Sequence, residues 1–256
     1  MNRILSEATR RPRLRFDGWI AGMGTAAGTR IVLGHWPRSP FGPFSDVMLE
    51  RADGERLLLA PTPETAYFIS GTYIFDTVHV VPVDVSVADD TWTVMAGPLG
   101  LRFTVGHRRL LGWLLRVVPG LLARLPAWST LTDFPARLLL TGVRTRGSAH
   151  ADRREWYGAQ DLWPIHTVSA VFEGDDLGAM TPVVPPVRFG SGSVPRKPAL
   201  TRVTTTVALA PGEGTRPEVP ADQTKGGRRG RGDVWKGREI RNLRTRSRSG
   251  RAFSTS

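Results

Sequence analysis

Two stretches of this 256-residue chain gather side chains that can do chemistry. The first, "GHWPRSPFGPFSD", runs from Gly34 to Asp46 and holds His35, Trp36, Arg38, Ser39, Phe41 and Phe44. An imidazole titrates near neutral pH, and indole and phenyl rings offer apolar wall to a small molecule. Pro37, Pro40 and Pro43 restrict the backbone, so a stiff loop is expected. Either that loop lines a pocket, or its phenylalanines plug the end of a barrel. The second stretch, "RTRGSAHADRREWYG", spans Arg144 to Gly158. Read as a strand, it puts Arg154, Trp156 and Gly158 on one face and Arg153, Glu155 and Tyr157 on the other. A guanidinium there suits a carboxylate or phosphate, and an ordinary Arg–Glu surface pair is the plainer alternative. The candidate ligand site is therefore His35, Trp36, Phe41, Arg154 and Trp156. In it Trp36, Phe41 and Trp156 form the walls, and Arg154 or His35 orients a polar end.

Other chemistries find less support. The chain has no cysteine, which removes disulfides, thiolate metal sites and a thiol nucleophile, and fits a reducing compartment. None of the five histidines, His35, His79, His107, His150 and His166, forms a His-x-His or His-x-x-x-His pair, so no metal site is expected. There is no Gly-x-Ser-x-Gly elbow. "IAGMGTAAGTRIVLG" carries the spacing Gly22-x-Gly24-x-x-Ala27 of a dinucleotide turn. That turn needs a helix after the glycines to hold the pyrophosphate, whereas Ile31-Val32-Leu33 follows and then Pro37. A glycine-rich turn between strands is expected there, and no cofactor.

The elements that must position these residues read mostly as strands. Asp53-Gly54 marks a hairpin between Asp46–Arg51 and Glu55–Ala60, and Gly97-Pro98 another between Thr91–Ala96 and Leu101–Val105. Leu57-Leu58-Leu59 is apolar on both faces and should be covered on both. Thr62, Pro63 and Glu64 start a helix that stops near Gly71. Strands are also expected at Phe75–Val85, Ala136–Val143, Leu200–Ala210, and as a pair, Arg154–Trp163 and His166–Phe172, broken at Pro164. The segment from Leu110 to Trp128 is long and apolar but contains Arg116, Arg124 and Pro119. An arginine at mid-bilayer costs about 2.5–3.5 kcal/mol, so a simple membrane span is rejected. Short helices over the open end of the sheet, an interfacial helix touching a membrane, or a subunit contact remain open for it.

Charge separates body from tail. The net charge is +12, and Lys225 to Ser256 alone holds eleven Lys/Arg against two acids. The expectation is a flexible N-terminus over 1–14, one β-rich domain over 15–210 and a disordered basic tail over 211–256. The fold class is α+β, mostly antiparallel, a curved sheet or partial barrel with two helical segments packed on it. No apolar run of signal-peptide length follows the basic N-terminus, so a cytoplasmic location is expected. The favoured function is binding of a small apolar or weakly acidic molecule in the sheet's concavity. Nucleic acid is a possible partner through the tail only, and an anionic membrane through the tail and the 110–128 segment. The sequence leaves oligomeric state open.

Two resemblances add to this reading. "FDGWIAGMGTAAGTRIVLGHWPRSPFGPFSDVMLE", "GVRTRGSAHADRREWYGAQDL" and "PPVRFGSGSVPRKPALTRVTTTV" resemble a group of uncharacterised proteins of high-GC actinobacteria, over Arg15 to Val207. That likeness implies no activity. The turn Ser39-Pro40-Phe41-Gly42-Pro43-Phe44 resembles one in acetoacetate-decarboxylase-like proteins. This likeness implies a β-rich fold and an enzyme whose decarboxylases use a lysine Schiff base. The body offers only Lys197 for such a role, in "PRKP", so the resemblance implies an enzyme of that type without the Schiff-base lysine.

Overall fold

Period-2 alternation and turn glycines account for most of the chain's elements. The computed structural model describes residues 11–107, 146–148, 153–190 and 194–210, the short piece 146–148 as backbone only. The chain divides into two units, Met1–Val219 and Pro220–Ser256, and the second lies outside the described residues. So do the expected second helical segment, including 110–128, the strand expected over 136–143, and residues 1–10 and 211–219.

In chain order the elements are β1 (Arg13–Thr25), β2 (Arg30–Arg38), β3 (Phe44–Glu50), β4 (Arg56–Ala60), helix α1 (Pro63–Ser70), β5 (Thr77–Val80) and β6 (Val83–Ala88). Then follow β7 (Thr91–Ala96), β8 (Leu99–Val105), β9 (Arg146–Ser148), β10 (Arg154–Phe172), β11 (Asp175–Asp176), β12 (Met180–Thr181) and β13 (Ala199–Ala208). They form one curled, mixed half-barrel sheet in the order β5-β4-β3-β2-β1-β13-β10-β8-β7-β6. β4 and β5 run parallel, and the other pairs are antiparallel.

One face of β1–β4 packs against the folded-back β6–β8 layer. Ala21, Met23, Ile31, Leu33, Val47 and Leu49 meet Trp92, Val94, Leu101 and Phe103 there. Leu58 points the other way from Leu57 and Leu59, so β4 is covered on both faces as its triple leucine requires. The opposite face is covered by α1 and by a strap whose described residues are 182–190 and Val194. Thr62 caps α1, accepting from the Thr65 amide at 3.2 Å, while Thr65 returns a bond from its hydroxyl to the Thr62 carbonyl at 2.9 Å.

The Gly-x-Gly spacing has a packing reason. Gly22 and Gly24 lie inside β1, on one face, and the true turn follows, with Gly28 at φ +81°. A Cβ on Gly22 would come within 2.6 Å of the Val194 side chain, and one on Gly24 within 2.4 Å of the Pro182 carbonyl. The glycines let the strap lie close on the sheet. No helix follows them.

Two expectations about strands change. Phe75–Val85 divides into β5 and β6 at Val81-Pro82. The strands expected on either side of Pro164 are one 19-residue strand, β10. Proline lacks an amide hydrogen, but Pro164 stands where β10 changes partner, from β13 before it to β8 after it. Only its carbonyl is needed, and that accepts from Gly106 at 2.8 Å.

Candidate functional site

The stretch Gly34 to Asp46 is a hairpin rather than a wide loop: β2 carries on to Arg38 and β3 begins at Phe44. Ser39 makes the turn, its hydroxyl accepting from the Phe41 amide at 3.0 Å, and Gly42 takes φ +82°. Within this hairpin Gly34 sits directly opposite Asp46. A Cβ at Gly34 would lie 2.6 Å from both Asp46 Oδ1 and Trp36 Nε1. Glycine thus opens the space in which the Trp36 indole crosses to the carboxyl, and Nε1 donates to Asp46 Oδ1 at 2.9 Å. Asp46 is 2% exposed, and its other oxygen, Oδ2, has no hydrogen-bond partner among the described residues. Burial pushes the Asp46 pKa up to about 7, against the lowering pull of the Trp36 hydrogen bond.

A second polar group comes from β10 and the chain after α1. The Tyr73 hydroxyl donates to Glu155 Oε1 and lies 2.9 Å from the Tyr157 hydroxyl. Burial, then the neighbouring Glu155 charge, holds the Tyr73 pKa well above the usual phenol value, so the hydroxyl keeps its proton. Arg153, on the same strand face, is buried and donates to the Phe68 carbonyl at 2.8 Å and to the Thr72 hydroxyl. It fastens β10 to the end of α1. Thr205 on β13 is buried, and its hydroxyl has no hydrogen-bond partner among the described residues.

Trp36, Asp46, Tyr73, Glu155, Tyr157 and Thr205, but not Arg153, line one cavity of about 70 Å³ between the sheet, α1 and the strap. Aromatic rings, Phe16, Trp36, Phe44, Phe68 and Phe189, make much of its wall. Its charged side chains are both carboxyls, Asp46 and Glu155. That volume suits a compact molecule, since sites for drug-sized ligands run to ~300 Å³ and more.

The residues singled out from sequence are distributed over both faces of the sheet. Trp36 lines the cavity. Phe41 stands behind it, packed on Phe16 and Phe68 with ring centroids 6.1 and 5.1 Å apart. His35, one residue from Trp36, faces the other layer, where Nδ1 lies 2.9 Å from the Ser45 hydroxyl and the ring meets Trp92 edge-on. Burial lowers its pKa. Arg154 is exposed, and Trp156 is half-buried beneath the Arg13 guanidinium. Neither of these two lines the cavity; Glu155 and Tyr157, from the opposite strand face, do. Sequence reasoning passed over Asp46, Tyr73 and Thr205 as site residues. The signal for Asp46 was a carboxyl opening the apolar run Val47-Met48-Leu49, opposite a glycine.

Lys197, the one lysine among the described residues, is exposed and does not line the cavity, so it is not placed for Schiff-base chemistry there. Among the described residues no group of three or more His, Asp or Glu is placed to hold a metal ion. No helix among them is long and apolar enough to cross a membrane.

No protein-family model matches the sequence, and no curated protein matches it. Among solved structures, acetoacetate decarboxylase from Legionella pneumophila subsp. pneumophila str. Philadelphia 1 is similar, with 10% sequence identity and a TM-score of 0.39 over 78% of this chain and 85% of that one. A likeness of that size says nothing about the chemistry of this chain.

Proposed function

We propose that this protein binds a small, largely apolar molecule with one polar end in the cavity between the half-barrel sheet, α1 and the strap. The observation that carries this is the pairing of an aromatic wall with two buried polar atoms of wall residues, Asp46 Oδ2 and Thr205 Oγ1, that have no hydrogen-bond partner among the described residues. Buried polar groups are normally hydrogen-bonded, and leaving one unmet costs about 1–3 kcal/mol. A ligand that meets them recovers that cost. Trp36 is the wall residue retained from the sequence reading, and Asp46, Thr205 and Tyr73 take over the orienting role expected of His35 and Arg154. A negatively charged acid is disfavoured by the two carboxyls on the wall.

The test is a ligand-observed NMR screen of neutral and charged compounds of three to five heavy atoms. It uses the full chain and a Val187→Phe variant, which fills the cavity from the strap side. Binding to the full chain that is lost in the variant, with an unchanged circular dichroism spectrum, supports the reading. Equal binding by both, or binding by neither, overturns it.

A further inference from the structure

We infer that the polar end of this cavity receives the ammonium group of a small primary amine, with Asp46 Oδ2 as its counter-charge. This rests on the cavity being a ligand site, as proposed above, and adds the chemical class.

The geometry supports it from three sides. Asp46, a residue of the cavity wall, has one oxygen held by Trp36 Nε1 at 2.9 Å and the other buried without a hydrogen-bond partner among the described residues, so its carboxyl is oriented and only half satisfied. Trp36 and Phe44 also line the cavity, and aromatic rings attract cations to their faces. The other charged side chain on the wall is again a carboxyl, Glu155. Water or an alcohol can satisfy Oδ2 as a hydrogen-bond acceptor, but neither neutralises a carboxylate set among rings. Only a proton or a cation does that. The remaining titratable groups on the wall are Tyr73 and Tyr157. Tyr73 stays protonated.

Proton and amine therefore compete for one oxygen. When the ammonium enters, the Asp46 carboxyl gives its proton to solvent, and the ammonium keeps all of its own. With Asp46 titrating at about 7, the apparent affinity for an amine rises about tenfold from pH 6 to pH 8.

Three probes of nearly equal size decide it: n-propylamine, cationic across this range, 1-propanol and propionate. Each is titrated calorimetrically into the full chain and into Asp46→Asn, at pH 6 and pH 8, in two buffers of different ionisation enthalpy. The expected result is that propylamine binds best and binds about tenfold more tightly at pH 8, with a proton released at pH 6. Asp46→Asn loses the amine and the pH dependence, yet keeps 1-propanol. If Asp46→Asn is not folded, the buffer comparison on the unmodified chain still reports the released proton. Binding of 1-propanol or propionate in preference to the amine, or amine binding without proton release at pH 6, overturns the inference and leaves the cavity standing as a ligand site. Binding by none of the three overturns both.

Discussion

Asp46 is where burial and charge conflict most directly, and the conflict has a sign. Its pKa stands at about 7 in the folded protein against 3.8 for the free side chain. Across that interval the folded chain holds a proton that the unfolded chain has released. Stability due to this group is therefore full at low pH and falls as pH rises from about 4 to about 7. At 1.36 kcal/mol per pKa unit, the total loss is roughly 4 kcal/mol. Asp46→Asn should remove that slope, so urea titrations of the two proteins should diverge most between pH 4 and pH 7; parallel curves would refute the assignment. Asp76 acts in the opposite direction. Arg56 hydrogen bonds hold it at about 2, so its contribution is intact above the usual carboxylate range and is lost in strong acid. Little of this was legible in the sequence. The alternation of 153, 155 and 157 against 154, 156 and 158 follows from strand geometry, but the choice of face does not. Here the charged pair Arg153 and Glu155 goes inside, where main-chain and hydroxyl partners await it, and the aromatic Trp156 goes to the outer side under Arg13. Hydrophobicity alone selects the wrong face.

At the scale of elements, local and long-range devices differ in both legibility and size. Helix α1 is specified within four residues: Thr62 caps it, Pro63 occupies its first position and Glu64 sits in its first turn. Thr62→Ala should cost about 1 kcal/mol and speed amide exchange in Pro63–Ser70 first, which hydrogen-exchange mass spectrometry resolves. The strap is held by contacts that no local pattern announces. Glu50 is fully buried; it takes the Arg30 guanidinium at 2.9 Å, the Arg188 Nε at 2.8 Å and the Arg188 amide at 2.7 Å. Arg30 is 4% exposed, so Glu50→Ala leaves a buried guanidinium without its counter-charge, at about 3–5 kcal/mol. Arg188→Ala removes a mostly exposed side chain and leaves the backbone bond to Glu50, so it should cost about 1 kcal/mol or less. Denaturant midpoints for the pair test this directly, since similar values for the two would mean the strap is not anchored through Glu50. Arg30, Glu50 and Arg188 are 20 and 138 residues apart in sequence, which is why reading the chain in windows could not join them.

Across the whole described body, β10 does the joining. Its first half pairs with β13 and completes the cavity face; its second half pairs with β8 and belongs to the opposite layer. A reading that broke this strand at Pro164 would make two layers able to unfold separately. A continuous strand predicts one cooperative unit, because loss of order in either layer frees the hydrogen bonds of a strand shared by both. Phe103 provides the test, being fully buried in the β6–β8 layer and stacked on Trp92 with centroids 5.8 Å apart. Phe103→Ala should cost about 3–5 kcal/mol. If the layers unfold together, that loss lowers amide protection equally in β7–β8, where the truncated ring leaves a void, and in β2–β3, whose ligand-cavity side the substitution does not touch. If protection drops in β7–β8 while β2 and β3 keep theirs, the layers are independent and Pro164 is a true break. The Asp46 site would then sit on a module that stands without its second layer. Equal loss instead means that the cavity's geometry, down to the Trp36–Asp46 bond, depends on packing on the far side of the sheet.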